Sequence, residues 1–190
     1  MNIRSPVFEP GRKNITETVL QGEFKISDNP NVMMSTLLGS CIAACIWDPK
    51  AKVGGMNHFL LADGKGSGDG DLGFGVNAME LLLNGLISRG ATRENLMVRL
   101  FGGAKMFAGR QNIGEQNAEF AKWFVENEGL ECASICVGGL RGRKIRFWPA
   151  SGQAQRMFMD DTLSVDEPVA VVSKSMATSS DKESGDVELF

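Results

Sequence analysis

The chain has 190 residues, 43% of them apolar, which suits one domain with enough bulk for a real core. Its net charge of −3 and the absence of any basic run argue against nucleic acid as a partner. No apolar run is long enough to span a bilayer, and the N-terminus lacks the apolar stretch of a signal peptide, so the expectation is a cytoplasmic protein with no direct membrane insertion.

Residues 1–14 read as an N-terminal arm, broken by Pro6, Pro10 and Gly11. Residues 18–26 alternate weakly and suggest an edge strand. Asn29-Pro30-Asn31 is a turn signal, and 32–38 form a short strand that ends at Gly39-Ser40. Residues 41–47 are apolar and partly β-branched, the composition of a strand. Asp48-Pro49-Lys50-Ala51 has type I turn chemistry, and 53–61 read as the returning strand. In a regular hairpin with that four-residue turn, Cys41 stands directly opposite His58, the only histidine. Their Cβ atoms would then lie roughly 5 Å apart on one face.

Residues 62–75 carry a glycine at almost every second position and read as a loop. The G-x-x-x-x-G-K-[ST] pattern of a phosphate loop does not occur. The segment is either a mobile surface connection or, since it follows the strand that carries His58, a loop that flanks a site. Residues 76–89 are the strongest helix signal: Val76, Met79, Leu82, Leu83, Leu86 and Ile87 form an apolar stripe, and Gly90 is a stop. A strand at 95–101 ends at Gly102-Gly103. A second helix, 115–128, turns Ala118, Ala121, Phe124 and Val125 inward. A strand at 131–137 and a hairpin of 143–149 with 154–159 complete the expected domain, 15–173. From 174 to 190 serine and acidic residues dominate and predict a disordered tail. Its end, Val187-Glu188-Leu189-Phe190, is either an ordinary terminus or a short docking motif. The order predicts an α+β fold, layered, with mostly antiparallel strands and two main helices over one face.

Of the four cysteines, Cys41 and Cys45 form one C-x-x-x-C pair, and Cys132 and Cys136 the other. On a strand such partners lie about 13 Å apart, which disfavours zinc chelation by either pair. Cys45, Cys132 and Cys136 are read as small buried hydrophobes. Cys41 is different because of His58. A thiol with a pKa near ~8.5 becomes a nucleophile when an imidazole takes its proton. A third polar group usually orients that imidazole. Ser35 and Thr36 are the local hydroxyls, on a neighbouring strand. Asn57 faces away from His58 on a regular strand and ranks lower. Gly39 allows close backbone approach, and the N–H of Ser40 or Cys41 is a candidate oxyanion donor.

L-G-S-C-I-A-A-C-I-W-D-P followed by G-G-M-N-H-F-L-L closely resembles the CheD family of chemoreceptor glutamine deamidases. The likeness continues through residues 101–107 (F-G-G-A-K-M-F), 112–117 (N-I-G-E-Q-N) and 138–145 (G-G-L-R-G-R-K-I), and covers roughly residues 15 to 160. The resemblance implies a cysteine-dependent amidohydrolase, a protein-glutamine glutaminase. It would convert selected glutamines of methyl-accepting chemotaxis proteins to glutamate, in their cytoplasmic domains, with release of ammonia. It implies a layered α+β fold similar to toxin-type cysteine deamidases, and no metal or organic cofactor. In some bacteria a CheC-type phosphatase binds the family's receptor-facing surface, and some members also act on glutamate methyl esters. By position, the family's cysteine is Cys41 and its histidine is His58. The family's third residue, a threonine six positions before the cysteine, falls on Ser35, with Thr36 beside it as the alternate. Two other classes remain as alternatives at this level: a non-catalytic adaptor for receptor or phosphatase, and a thiol redox or metal-binding module.

Overall fold

Strand alternation and helical periodicity sort this chain into two sheets and one helical layer. A computed structural model describes residues 15–61, 70–106, 113–159 and 187–190. The expected arm, the glycine-rich stretch 62–69 and the expected domain boundary at 173 lie outside the described residues.

The first sheet holds β1 (Ile15–Thr18), β3 (Val32–Leu38), β8 (Arg143–Trp148), β9 (Gln153–Phe158) and β10 (Val187–Leu189), in the order β1-β3-β8-β9-β10. The second holds β2 (Phe24–Ser27), β4 (Ile42–Asp48), β5 (Val53–Asn57), β6 (Met97–Gly102) and β7 (Glu131–Val137), in the order β2-β5-β4-β6-β7. Pairs β1–β3 and β6–β7 are parallel, and the other described pairs are antiparallel. Helices α1 (Gly70–Ser88) and α2 (Ile113–Asn127) both pack on the second sheet. The molecule is thus an α+β sandwich of helices, sheet and sheet, with mostly antiparallel strands and both helices on one face.

The central strand β4 is buried along its whole length. Its even residues Ile42, Ala44 and Ile46 join Met79, Leu82, Leu83 and Phe124 under the helices. Its odd residues Ala43, Cys45 and Trp47 join Met34, Ile145 and Phe147 between the sheets. A strand covered on both sides needs apolar residues at every position, hence the unbroken run I-A-A-C-I-W.

Several boundaries differ from the expectation. The weak strand 18–26 is two strands, β1 in one sheet and β2 in the other, parted by a turn at Gly22 with φ +85°. Helix α1 begins at Gly70, so the stretch 70–75 that composition assigns to a loop is helical. Gly75 explains part of this: a Cβ there would lie 2.6 Å from Leu61 and 2.7 Å from Phe120, so its bareness lets the helix seat closely. Packing has overridden intrinsic propensity.

The Asp48 turn forms, with Asp48 Oδ1 accepting the N–H groups of Lys50 at 2.8 Å and Ala51 at 3.0 Å. Lys52, at φ 54°, extends it, so Asp48 faces Val53 and Cys45 faces Met56. Cys41 is therefore not directly opposite His58; the register is two residues off. An even shift keeps side chains on their face, so the two residues still share one side of the sheet.

The end of the chain also departs from the expected tail. Strand β10 pairs antiparallel with β9, and Phe190 exchanges two backbone hydrogen bonds with Ala154, at 2.9 and 3.2 Å. The Phe190 ring meets Phe101 edge-on at 5.8 Å, and Glu188 pairs with Arg156. These contacts close the edge of β9 and cap the core between the sheets. Deleting residues 187–190 is expected to cost about 1–3 kcal/mol and to lower Tm by about 3–10 °C in a thermal melt. An unchanged Tm would show that the strand contributes nothing to the fold.

Candidate active site

Three backbone segments meet at one end of the seam between the sheets: β3, the residues leading into β4, and the residues leaving β5. Along β3 the even residues Met34, Thr36 and Leu38 point inward. Thr36 is buried, and its Oγ1 donates to the Val19 carbonyl at 2.8 Å. The same oxygen lies 2.9 Å from His58 Nδ1, which is also 3.4 Å from the Val19 carbonyl. A carbonyl only accepts, and the threonine proton is already directed at it. The network therefore puts the imidazole proton on Nδ1, donated to Thr36 Oγ1. Nε2 then carries the lone pair, and it is buried with no hydrogen-bond partner among the described residues.

Ser35 lies on the other face of β3, between Thr18 of β1 and Arg146 of β8. Its backbone carbonyl holds the Val19 N–H at 2.9 Å. Of the two hydroxyl candidates it is thus Thr36 that meets the imidazole, and Ser35 supports it only through the main chain. The strand carrying both is not a neighbour of the His58 strand in one sheet. It belongs to the facing sheet, so the Thr36–His58 contact bridges the sandwich. Asn57 faces the helices, accepting from the Ala44 N–H at 2.9 Å and donating to the Ala78 carbonyl at 3.0 Å.

Cys41 sits just before β4 and is half-buried. Its carbonyl accepts the Gly103 N–H at 2.8 Å. Gly102 has φ 114°, and a Cβ there would lie 2.0 Å from that carbonyl oxygen, so no other residue fits. Burial pushes the Cys41 thiol up from its usual range, and a hydrogen bond from its own backbone N–H pulls it partly back. Burial pushes His58 down, against the opposing pull of the Val19 carbonyl. Both shifts favour the uncharged forms, so at neutral pH the resting pair is thiol and imidazole.

Two buried polar residues hold this arrangement, and the sequence reading gave neither a role. Asn117 of α2 is fully buried; it donates to the Ser40 carbonyl at 2.9 Å and accepts from the Leu61 N–H at 2.8 Å. It ties the segment before Cys41 to the segment after His58. The signal was a polar residue on the apolar side of a helix. Arg143 of β8 is also buried and donates to the carbonyls of Cys136 and Gly138. It thereby fixes the 138–141 turn, where the Gly139 carbonyl accepts from Lys105. Among the remaining cysteines only Cys45 is a buried hydrophobe. Cys132 is exposed, and Cys136 is half-buried with Arg143 at 3.3 Å and Arg156 at 2.7 Å from its sulfur. On β7, an edge strand, Cys136 packs partly against the core between the sheets and Cys132 stays at the surface.

A family model described as CheD chemotactic sensory transduction matches residues 60–157. A probable chemoreceptor glutamine deamidase CheD 1 of Ruegeria sp. (strain TM1040) is 49% identical over 163 residues, 85% of this chain and 87% of its own. A probable chemoreceptor glutamine deamidase CheD of Caulobacter vibrioides is 48% identical over 177 residues, covering 90% of this chain and 91% of its own. One from Agrobacterium fabrum is 51% identical over 139 residues, 73% of this chain and 77% of its own. Among solved structures, a Neisseria meningitidis protein of the DUF152 family is similar at TM-score 0.43 and 10% identity, over 66% of this chain and 63% of that one.

The hydroxyl at residue 36 should matter and the one at 35 should not. Thr36→Val, which keeps the shape, is expected to lower turnover at Cys41 at least tenfold with the fold intact. Ser35→Ala should stay within about twofold, and the reverse ranking in a side-by-side rate measurement would reject this geometry. The protonation states give a second expectation. With His58 pushed down and Cys41 pushed up, alkylation of Cys41 should climb steadily as pH rises above neutrality. It should show no plateau between about pH 5 and 7, the mark of a preformed thiolate–imidazolium pair. A pH series of iodoacetamide rates reads this directly.

Proposed function

The chain belongs to the CheD family, and we propose that it is a cysteine-dependent amidohydrolase acting on glutamine side chains of methyl-accepting chemotaxis receptors. The observation that carries this reading is the oriented imidazole: Nδ1 engaged with Thr36 and Val19, and Nε2 without a partner among the described residues, on the face of the sheet that also bears Cys41. That is the arrangement a base needs in order to accept a thiol proton.

His58 Nε2 takes the proton of Cys41, and the thiolate attacks Cδ of the glutamine. The Cys41 N–H, which lies against its own sulfur, is suitably near to donate to the oxyanion. As the Cδ–N bond breaks, the imidazolium returns the proton to nitrogen and ammonia leaves. Water, deprotonated by His58, then cleaves the thioester to give glutamate and the free thiol. Thr36 acts through His58, holding the ring and its tautomer across the cycle. A neutral resting pair means the charges appear only as the reaction proceeds, so their stabilisation is concentrated in the transition state.

The receptor's cytoplasmic helical region is the substrate in this reading, and a CheC-type phosphatase is a competing partner for the same surface. The described helices include none long and apolar enough to cross a membrane, which fits an enzyme that meets receptors at their cytoplasmic domains. Co-expression with a receptor fragment tests the whole proposal. Wild-type protein should add about 1 Da per modified glutamine, since NH2 is replaced by OH. Cys41→Ala should add none while melting like wild type; equal mass gain in that variant would sink the thiol mechanism.

A further inference from the structure

The Cys41 sulfur has a partner that the reaction as described does not use. Its Sγ–H donates to Oε1 of Gln21 at 3.5 Å. Gln21 is exposed, yet its backbone is not loose. The turn Leu20–Glu23 is tied to the catalytic histidine by main-chain bonds on both sides. Gly22 N–H donates to the His58 carbonyl at 2.7 Å, and His58 N–H donates to the Glu23 carbonyl at 3.0 Å. Glu23 closes the turn, its N–H donating to the Leu20 carbonyl at 3.0 Å and its carboxylate accepting from the Leu20 N–H at 3.1 Å. The main chain on either side of Gln21 is thus fixed to that of His58.

We propose that Gln21 is a specificity-determining residue that distinguishes a carboxamide from a carboxylate at the nucleophile. This rests on the amidohydrolase reading above. In the resting enzyme Oε1 accepts the weak thiol donor. Once the proton has moved to His58, the thiolate has nothing to donate, and two electron-rich atoms face each other. Oε1 is then free to accept from a new donor. A glutamine Cδ in attack position, about 3–3.5 Å from the sulfur, brings its NH2 group into the same neighbourhood. That group has two N–H donors, and the ammonia it becomes has three. A glutamate carboxylate offers none and presents negative oxygens to Oε1. Gln21 therefore favours binding of the amide, holds the leaving nitrogen, and disfavours the product once ammonia has gone.

The test uses Gln21→Met, equal in length without the amide, and Gln21→Glu, which keeps the oxygen and adds charge. Both are surface changes and are checked by thermal melt. One readout is deamidation of the receptor fragment, where kcat/KM should fall about tenfold for Gln21→Met and further for Gln21→Glu. The second is the ratio of Cys41 alkylation rates by iodoacetamide and iodoacetate, which present a carboxamide and a carboxylate to the same sulfur. That ratio should fall by a similar factor in Gln21→Met. An unchanged ratio in folded Gln21→Met overturns the proposal, whatever the receptor assay gives. Wild-type protein that fails on the receptor but whose ratio responds to Gln21 would instead sink the receptor reading and leave Gln21 its role.

Discussion

The hydrogen bond between Thr36 and His58 joins the two sheets at the point where chemistry is proposed to occur. Thr36 stands on β3 of one sheet, and His58 leaves β5 of the other. The bond is buried, and the Val19 carbonyl beneath it accepts from Thr36 Oγ1, so the ring's tautomer follows from the fold. A buried polar pair in an otherwise apolar seam is stable only when its members satisfy one another. Relative sliding of the sheets would break that satisfaction. The apolar cluster between the sheets, which includes Met34, Ile145 and Phe147, resists that sliding and so positions the site as well as stabilising the domain.

Cys41, the proposed nucleophile, is positioned by a different device. Cys41 precedes a strand and is held by backbone contacts from three directions. Gly103 takes its carbonyl, Asn117 takes the carbonyl of Ser40, and Ile42 exchanges two bonds with Phe59. Helix α2, from the far face of the sheet, thus reaches both halves of the site through one side chain. Buried amides of this kind constrain geometry because either end left unpaired is costly. The resting electrostatics follow from the same burial. Desolvation pushes the Cys41 thiol up and the His58 imidazole down, both toward their neutral forms.

The turn at Gln21 adds a third constraint, on what is accepted. It hangs from the main chain of His58, so in the proposed reading the backbone that carries the Gln21 carboxamide is fixed to that of the base. The chain's C-terminus closes the opposite edge of the first sheet, far along β9 in strand order from β3. Edge closure there and a built site at the β3 side divide the labour of one sandwich.

Much of this was legible in the residues. Strand 32–38, the apolar run of β4, the Asp48 turn and the two helical stripes each carry a local pattern, and local patterns survive folding. The placement of Cys41 and the only histidine on one face of the sheet followed from strand parity, which an even register slip does not change. Which hydroxyl orients the ring was not legible, because Ser35 and Thr36 differ only in the face they present, and that is decided by the pairing of β3 with β1 and β8. The helical start at Gly70, the docking of Phe190 and the reach of Asn117 also required the assembled sandwich. Each depends on contacts between segments distant in sequence, where tertiary packing outweighs the preferences that neighbouring residues express.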